Sequence, residues 1–341
     1  MKKIIHLIKK LAAAHYLLCA VLIASCATKL PEKPAGEYLW PPPPETPRIK
    51  WLTQWSNQND FEKPGFILSL MAGEDVARLS RPNGVVADSA GNIYVADSDL
   101  SVIFVFDQEL RTLRLLGGGI IGSPVGVAVD NSTGILYVTD SKRDMVFGFD
   151  KKSGRLVLEL GKPGEYKNPS GVGVDETRDR LYVTDTQNHM VRVFTRKGNP
   201  IFTIGGRGYE EGKFNFPSFL ALDREGRLYV SDSFNFRIQI FSPEGQFLKS
   251  FGRLGDISGT FTRPKGIGVD SDGHIYVVDA AFNNFQIFDQ EGRVLLWVGE
   301  GGSGPGQFYL PTGMYIDRED RIYVADTFNR RVQVFQYLKQ K

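Results

Sequence analysis

Two cysteines in 341 residues, Cys19 and Cys26, leave this chain without a pair able to staple a folded domain. Both fall within the first 26 residues, so whatever folds beyond them uses neither a disulfide nor a cysteine nucleophile. Histidine is equally scarce, and only His189 and His274 lie beyond residue 15. Two such residues cannot assemble a three-histidine zinc centre. Charge of one sign is missing too: 41 Lys and Arg stand against 39 Asp and Glu. That balance argues against a nucleic-acid binder, whose affinity rests on phosphate neutralisation. There is no G-x-S-x-G elbow to raise a nucleophilic serine. The glycine-rich pieces Gly117–Gly119 and Glu300–Gly306 do not open a helix after a strand, as a phosphate loop must. The single long apolar run, Leu11 to Ala24, is too short for a convincing permanent membrane span.

What the chain has is repetition. Phe216 to Arg253 parses into four short apolar runs divided by turn chemistry: Phe219–Leu222, Leu228–Val230, Ile238–Phe241 and Phe247–Phe251. Asp223-Arg-Glu-Gly226 and Pro243-Glu-Gly245 supply tight turns, and Asp232 to Phe236 a polar loop. This is an antiparallel meander too small to bury both of its faces alone. It recurs with an opening proline at Pro82, Pro124, Pro169, Pro217, Pro264 and Pro311. The second run ends each time in an aspartate: Asp97, Asp140, Asp185, Asp232, Asp279 and Asp326. Nine residues further on comes Phe106, Phe149, Phe194, Phe241, Phe288 or Phe335. A constant offset in six places sets one loop and one strand register per unit.

Six such units predict an all-β fold, a six-bladed β-propeller of four-stranded antiparallel blades; a linear stack with open ends is the alternative. The last unit stops at Phe335 without a fourth strand, while Arg48–Leu52 stands ahead of the first unit with nothing to pair with. The N-terminal strand is therefore expected to close the last blade and remove the open edges. The expected boundaries are a closing strand at 48–55, an insertion at 56–81 and repeats starting near 82, 124, 169, 217, 264 and 311, the whole propeller covering 48–337.

Units of the form P-x-G-V-x-V-D…G-x-[IL]-Y-V-x-D-[ST]-x-N resemble NHL repeats, with Asn188-His189-Met190 nearest to the motif that names them. The resemblance implies a propeller and, by analogy, three kinds of activity to weigh. Lyases of this fold hold zinc through several histidines, and lactonases hold calcium through inward carboxylates. Here the first strands read VVA, VAV, VGV, LAL, IGV and MYI, with no acid set toward the channel. No metal site and no cofactor are expected. RNA-binding members would need a cytoplasmic location.

The N-terminus points elsewhere. Lys2, Lys3, Lys9 and Lys10, the apolar run and small residues before Cys26 describe an export signal over 1–25. Ile23-Ala24-Ser25-Cys26 resembles the lipobox of bacterial lipoproteins, which implies acylation of Cys26; an ordinary cleaved signal is the alternative. Several acyl chains on that cysteine would anchor stably where one would not. Ala27 after the anchor favours the outer membrane by the same resemblance. Residues 26–47, rich in proline, are expected to form a semi-rigid tether. Phe66–Ala72, apolar nearly all round, reads as a short helix plugging one rim or as a docking element.

A residue found in every unit serves every unit, so the twelve repeated aspartates are structural by this logic, and function must lie in what varies. The lead-in to each first strand and the loop after each second strand share one face. There the varying residues are Arg81, Asn83, Lys142, Arg143, Asn188, His189, Phe234, Asn235, Arg263, Lys265, Phe282, Asn283, Phe328, Asn329 and Arg330. Aromatic anchors beside arginine are typical of recognition hot spots. The asparagines at the motif position have a second reading, as caps of their own loops, and the phenylalanines as packing between blades. The expected function is a lipid-anchored binding or scaffolding propeller of the cell envelope, monomeric, that engages a protein, peptide or glycan through this rim and the channel mouth beside it. A metal-dependent propeller hydrolase or lyase is the alternative.

Overall fold

Five of the six prolines that open repeats lie directly across from the aspartate that ends the next strand: Pro82 from Asp97, Pro124 from Asp140, Pro169 from Asp185, Pro217 from Asp232 and Pro264 from Asp279. Proline lacks an N–H, so it is tolerated at a strand start, and the register shifts just after it in all five pairs. The computed structural model describes residues 36–61, 77–162 and 164–339. The chain divides into Met1–Glu37 and Tyr38–Lys341, and the second unit contains every strand discussed below.

Five sheets are four-stranded meanders, beginning at Pro82–Ala87, Pro124–Asp130, Pro169–Asp175, Pro217–Leu222 and Pro264–Val269 (blades 1 to 5). Blade 6 begins at Met314–Ile316, continues through Arg321–Asp326 and Arg331–Tyr337, and takes its fourth strand, Ile49–Trp55, from the N-terminal side. Trp51 pairs with Phe335 and Trp55 with Val332, so the expected closure is present. Blade 6 also carries a fifth, outermost strand, Leu39–Trp40, hairpinned onto Ile49 and Lys50. The Trp40 ring lies 5.8 Å from Phe335, and Tyr38 meets Trp51 edge to face at 5.9 Å. Residues 38–47, expected to belong to the tether, are thus part of the propeller unit. The apolar segment Phe66–Ala72, the signal and Cys26 lie outside the described residues.

Burial explains why six blades hold together. One apolar cluster fills each gap between neighbouring blades, and the sixth joins Tyr323, Val332 and Val334 of blade 6 to Ile93, Phe104 and Phe106 of blade 1. The second strands supply Tyr94, Tyr137, Tyr182, Tyr229, Tyr276 and Tyr323, all buried. In four blades the tyrosine hydroxyl reaches back to the first-strand aspartate: Tyr94 to Asp88 (3.1 Å), Tyr229 to Asp223 (2.9 Å), Tyr276 to Asp270 (2.9 Å) and Tyr323 to Asp317 (3.0 Å). A large ring can then be fully buried while its one polar atom stays paired.

Candidate functional site

Two faces flank the wheel. The turn face carries the tight turns between first and second strands, and the lead-in face carries the loops named above. On the turn face each first-strand aspartate accepts backbone N–H groups of its own turn, as Asp223 does from Glu225 and Arg227, and also meets a basic side chain. The pairs are Asp88–Lys151, Asp130–Arg196, Asp175–Arg178, Asp223–Arg227, Asp270–His274 and Asp317–Arg321.

On the lead-in face the second-strand aspartates are buried and bind the segment that leads into the first strand. Asp97 accepts from the amides of Ser80, Arg81, Asp99 and Leu100, and Asp279 from those of Thr262, Arg263, Ala281 and Phe282. In blades 3, 4 and 6 side chains replace part of this set. Asn188, Asn235 and Asn329 each donate Nδ2 to the aspartate three residues earlier at 2.8 Å. Arg192, Arg237 and Arg331 close the same carboxylates at 2.7, 2.9 and 2.8 Å. Burial pushes the carboxyls of Asp232 and Asp326 up, against the pull of these donors. The three loops are single 3-10 turns, and each ends in a left-handed residue, His189, Phe236 or Arg330.

The rim residues singled out by the sequence therefore fall into two groups. The amides and the imidazole are committed to the fold. Besides the three capping asparagines, Asn83 donates to Ser98 Oγ at 2.7 Å, and Asn283 Oδ1 accepts from Leu310 N at 2.8 Å. His189 is only 7 % exposed. Its Nδ1 accepts from Phe216 N at 3.2 Å, and its ring meets Phe216 edge to face at 4.7 Å. Burial, helped by Arg207, holds its pKa below the ordinary histidine value, which suits an unprotonated Nδ1.

The cations and phenylalanines form the second group. Arg81, Lys142, Arg143, Arg263 and Arg330 are exposed, and Lys265 and Phe282 are half-buried. Phe234 is 57 % exposed, with its ring 4.8 Å from that of Phe216. Phe328 is 48 % exposed; it stacks beside Tyr309 at 5.4 Å, and the Arg81 guanidinium lies 5.7 Å from its ring centre. Lys265 is the one charged residue in the ring Asn83, Val125, Ser170, Ser218, Lys265 and Thr312 around the axis. Burial, helped by Arg263, lowers its pKa, and among the described residues its ammonium has no ion pair.

Large exposed apolar side chains are unevenly placed. Leu100, Tyr209, Phe234, Leu254, Ile257, Tyr309 and Phe328 all sit on lead-in-face loops, whereas Leu110 alone sits on a turn-face loop; the rest lie on the fourth strands of the blades.

The axial channel contradicts one expectation. Its mouth does not share the rim. At the lead-in end neighbouring first strands are joined directly: Gly313 N donates to Asn83 O and Gly266 N to Thr312 O, each at 2.8 Å. Thr139 and Thr184 hydroxyls bridge to Ser170 O and Ser218 O, both at 2.5 Å, and Ser233 Oγ to Pro264 O at 2.8 Å. The cavity, of about 650 Å³, is lined instead by the first strands and by Asn131, Glu176, Arg224, Ser271 and Arg318 of the turn face. Sequence spacing located the strands that line the axis, but not which end of it is sealed.

Comparison with known proteins agrees with this architecture. Residues 79–106, 166–194 and 214–241 match the family model for the NHL repeat, and residues 269–339 match a family described as a 6-bladed beta-propeller. No curated protein matches the sequence. Among solved structures, a protein of unknown function from Bacteroides thetaiotaomicron VPI-5482 superposes with a TM-score of 0.60 at 19% identity, over 76% of this chain and 70% of that one. An auxiliary nutrient binding protein from the same organism gives 0.60 at 17% identity over the same shares. Virginiamycin B lyase from Staphylococcus aureus gives 0.57 at 14% identity, over 85% of this chain and all of that one. Identities this low speak to the fold alone. The chain is a six-bladed propeller that carries NHL repeats.

Proposed function

We propose that this propeller is an exported, lipid-anchored binding module of the bacterial envelope that engages a protein partner through its lead-in face. The observation that carries the reading is the concentration of exposed apolar side chains there, with Phe234, Tyr309 and Phe328 set among Arg81, Arg263 and Arg330. Aromatic side chains with two rotatable bonds, beside guanidinium groups, give contact area at low ordering cost. The committed amides hold the loops in shape, so the surface is preorganised before any partner arrives. The neighbours of this fold include both a nutrient-binding protein and a lyase, and binding is the reading favoured here because the rim's amides and imidazole are spent on structure. Cys26 would carry the anchor, and Ala27 favours the outer membrane.

Two measurements test this. Labelled palmitate fed to expressing cells should enter the wild type and not Cys26→Ser. A photoreactive phenylalanine analogue at position 234 or 328 should crosslink one discrete envelope protein, and the same analogue at Leu110 should not. Equal crosslinking from both faces, or none from the lead-in face, would remove the assignment.

A further inference from the structure

The turn-face end of the channel has the parts of a second site. Its walls are the first strands of the six blades, whose apolar stretches include Ala128, Gly173, Ala221, Gly268 and, in blade 6, the large side chain of Tyr315, with polar groups gathered at the turn-face end. The space left, about 650 Å³, lies in the range of small-molecule pockets. Tyr315 rests on Tyr323, ring centres 6.2 Å apart. Its hydroxyl has no hydrogen-bond partner among the described residues, and burial, with Asp317 close by, keeps it protonated far above ordinary pH. A phenol in that position offers an O–H to the cavity.

The mouth is ringed by the residues that follow the first-strand aspartates: Ser89, Asn131, Glu176, Arg224, Ser271 and Arg318. Four of them are occupied with their neighbours. Asn131 Oδ1 accepts from Ser89 N at 3.0 Å, Glu176 Oε1 accepts from Asn131 N at 2.7 Å, and Ser271 Oγ donates to Asp320 at 2.7 Å. The two arginines have no carboxylate partner among the described residues. Arg224 reaches over the turn of blade 5 to the backbone carbonyl of Arg318, at 3.5 Å. The Arg318 guanidinium has neither ion pair nor hydrogen bond among the described residues. The lining aspartates Asp175, Asp223, Asp270 and Asp317 each meet a basic side chain, which leaves Glu176 as the one lining carboxylate without one within 4.0 Å among the described residues. Two exposed guanidinium forks, of which Arg224 spends one N–H on a carbonyl, at the mouth of a channel with apolar walls further in suit a planar or tetrahedral anion attached to an apolar body.

We propose that this cavity binds a small organic anion, its charged group held between Arg224 and Arg318 at the turn face and its apolar body against Ala128, Gly173, Ala221 and Gly268, with Tyr315 donating from the side. The site is independent of the protein-binding rim, which lies on the other face.

Titration of the full chain with the fluorescent anion 8-anilinonaphthalene-1-sulfonate tests it. One saturable site is expected, and Arg224→Gln and Arg318→Gln should each weaken binding about tenfold, the scale of one lost charge-assisted contact. Both side chains are exposed, so these variants should keep the wild-type near-ultraviolet circular dichroism. Tyr315→Phe should weaken binding by a few-fold. Phe234→Ala with Phe328→Ala should leave it unchanged. Phenylacetate should displace the probe at concentrations about tenfold below those needed of benzyl alcohol or of inorganic phosphate, because each of the latter has only half of the required chemistry. Retained affinity in both arginine variants, loss confined to the phenylalanine variants, or equal displacement by benzyl alcohol would overturn the proposal.

Discussion

Trp51 donates its indole N–H to the side-chain oxygen of Gln333 at 3.0 Å, across 282 residues of chain. Gln333 is fully buried; its oxygen also accepts from Gly306 N at 3.0 Å, and its nitrogen donates to Gln307 O and to Asp326. The ring is thus latched where the N-terminal strand, the third strand of blade 6 and the loop leading into blade 6 meet. Trp51→Ala and Gln333→Ala should each lower unfolding free energy by about 2–3 kcal/mol, from lost burial and from orphaned buried polar groups respectively. Because both act on one latch, the double variant should lose clearly less than the sum. Urea denaturation reads this, and additive losses would show that the two residues do not share a closure.

The seal at the lead-in end depends on glycine. A Cβ on Gly126 would collide with the Ser170 carbonyl oxygen of the next blade, and one on Gly171 would stand 2.7 Å from Ser218 O. Backbone of the adjacent blade cannot retreat without opening the wheel. Gly126→Ala should therefore destabilise by about 3 kcal/mol despite adding a good core residue. Phe219 occupies the same position in blade 4, so the requirement belongs to particular blade pairs and not to the repeat. A thermal midpoint unchanged in Gly126→Ala would contradict the seal.

His274 titrates in a place where pH reaches the fold. Its Nδ1 lies 2.8 Å from Asp270 Oδ2, and this hydrogen bond raises its pKa above the ordinary 6.5, with burial opposing. A histidine whose folded pKa exceeds its unfolded one stabilises fully below the unfolded value, and that contribution fades as pH rises through the folded value. The difference in stability between wild type and His274→Ala should be larger at pH 5.5 than at pH 8.5. An equal difference at both, or a larger one at the alkaline end, would mean that the Asp270 pairing does not carry it.

Lys265 should be more acidic than an ordinary lysine, since burial and Arg263 both disfavour its charge. A larger neutral fraction makes it the faster nucleophile. Competitive labelling with limiting acetic anhydride near pH 8, read by mass spectrometry, should modify Lys265 ahead of Lys142. Arg263→Gln should slow the reaction by restoring part of the charge. Labelling in the reverse order would place Lys265 in water like any surface lysine.

The chain reveals much of this architecture before it folds. The proline, the aspartate and the phenylalanine nine residues later mark strand ends whose chemistry is local: a missing N–H, a carboxylate beside its own loop, and a period-2 strand whose marked ring is buried in all six blades. Closure was legible because an unpaired strand at one end matched a missing strand at the other. The outermost Leu39–Trp40 strand was not legible, since two residues amid prolines have no periodicity, and their pairing comes from the Trp40 ring packing on Phe335. The glutamines Gln239, Gln286 and Gln333 recur at even spacing but carry no local turn or strand-end chemistry that marks them. Each receives a loop N–H, from Gly212, Gly259 and Gly306, so they hold the lead-in loops from inside. Counting that interval would have found them.

By itself the sequence determined how many blades there are, where each strand begins and which residue closes the wheel, because those follow from spacing and from groups that satisfy their neighbours within a few positions. Only the tertiary structure decided which rim side chains stay free and which end of the axis opens. Those outcomes depend on six first strands brought together by curvature. There a glycine or threonine of one blade meets the carbonyl of another more than 30 residues away, and nothing in the local pattern records that meeting.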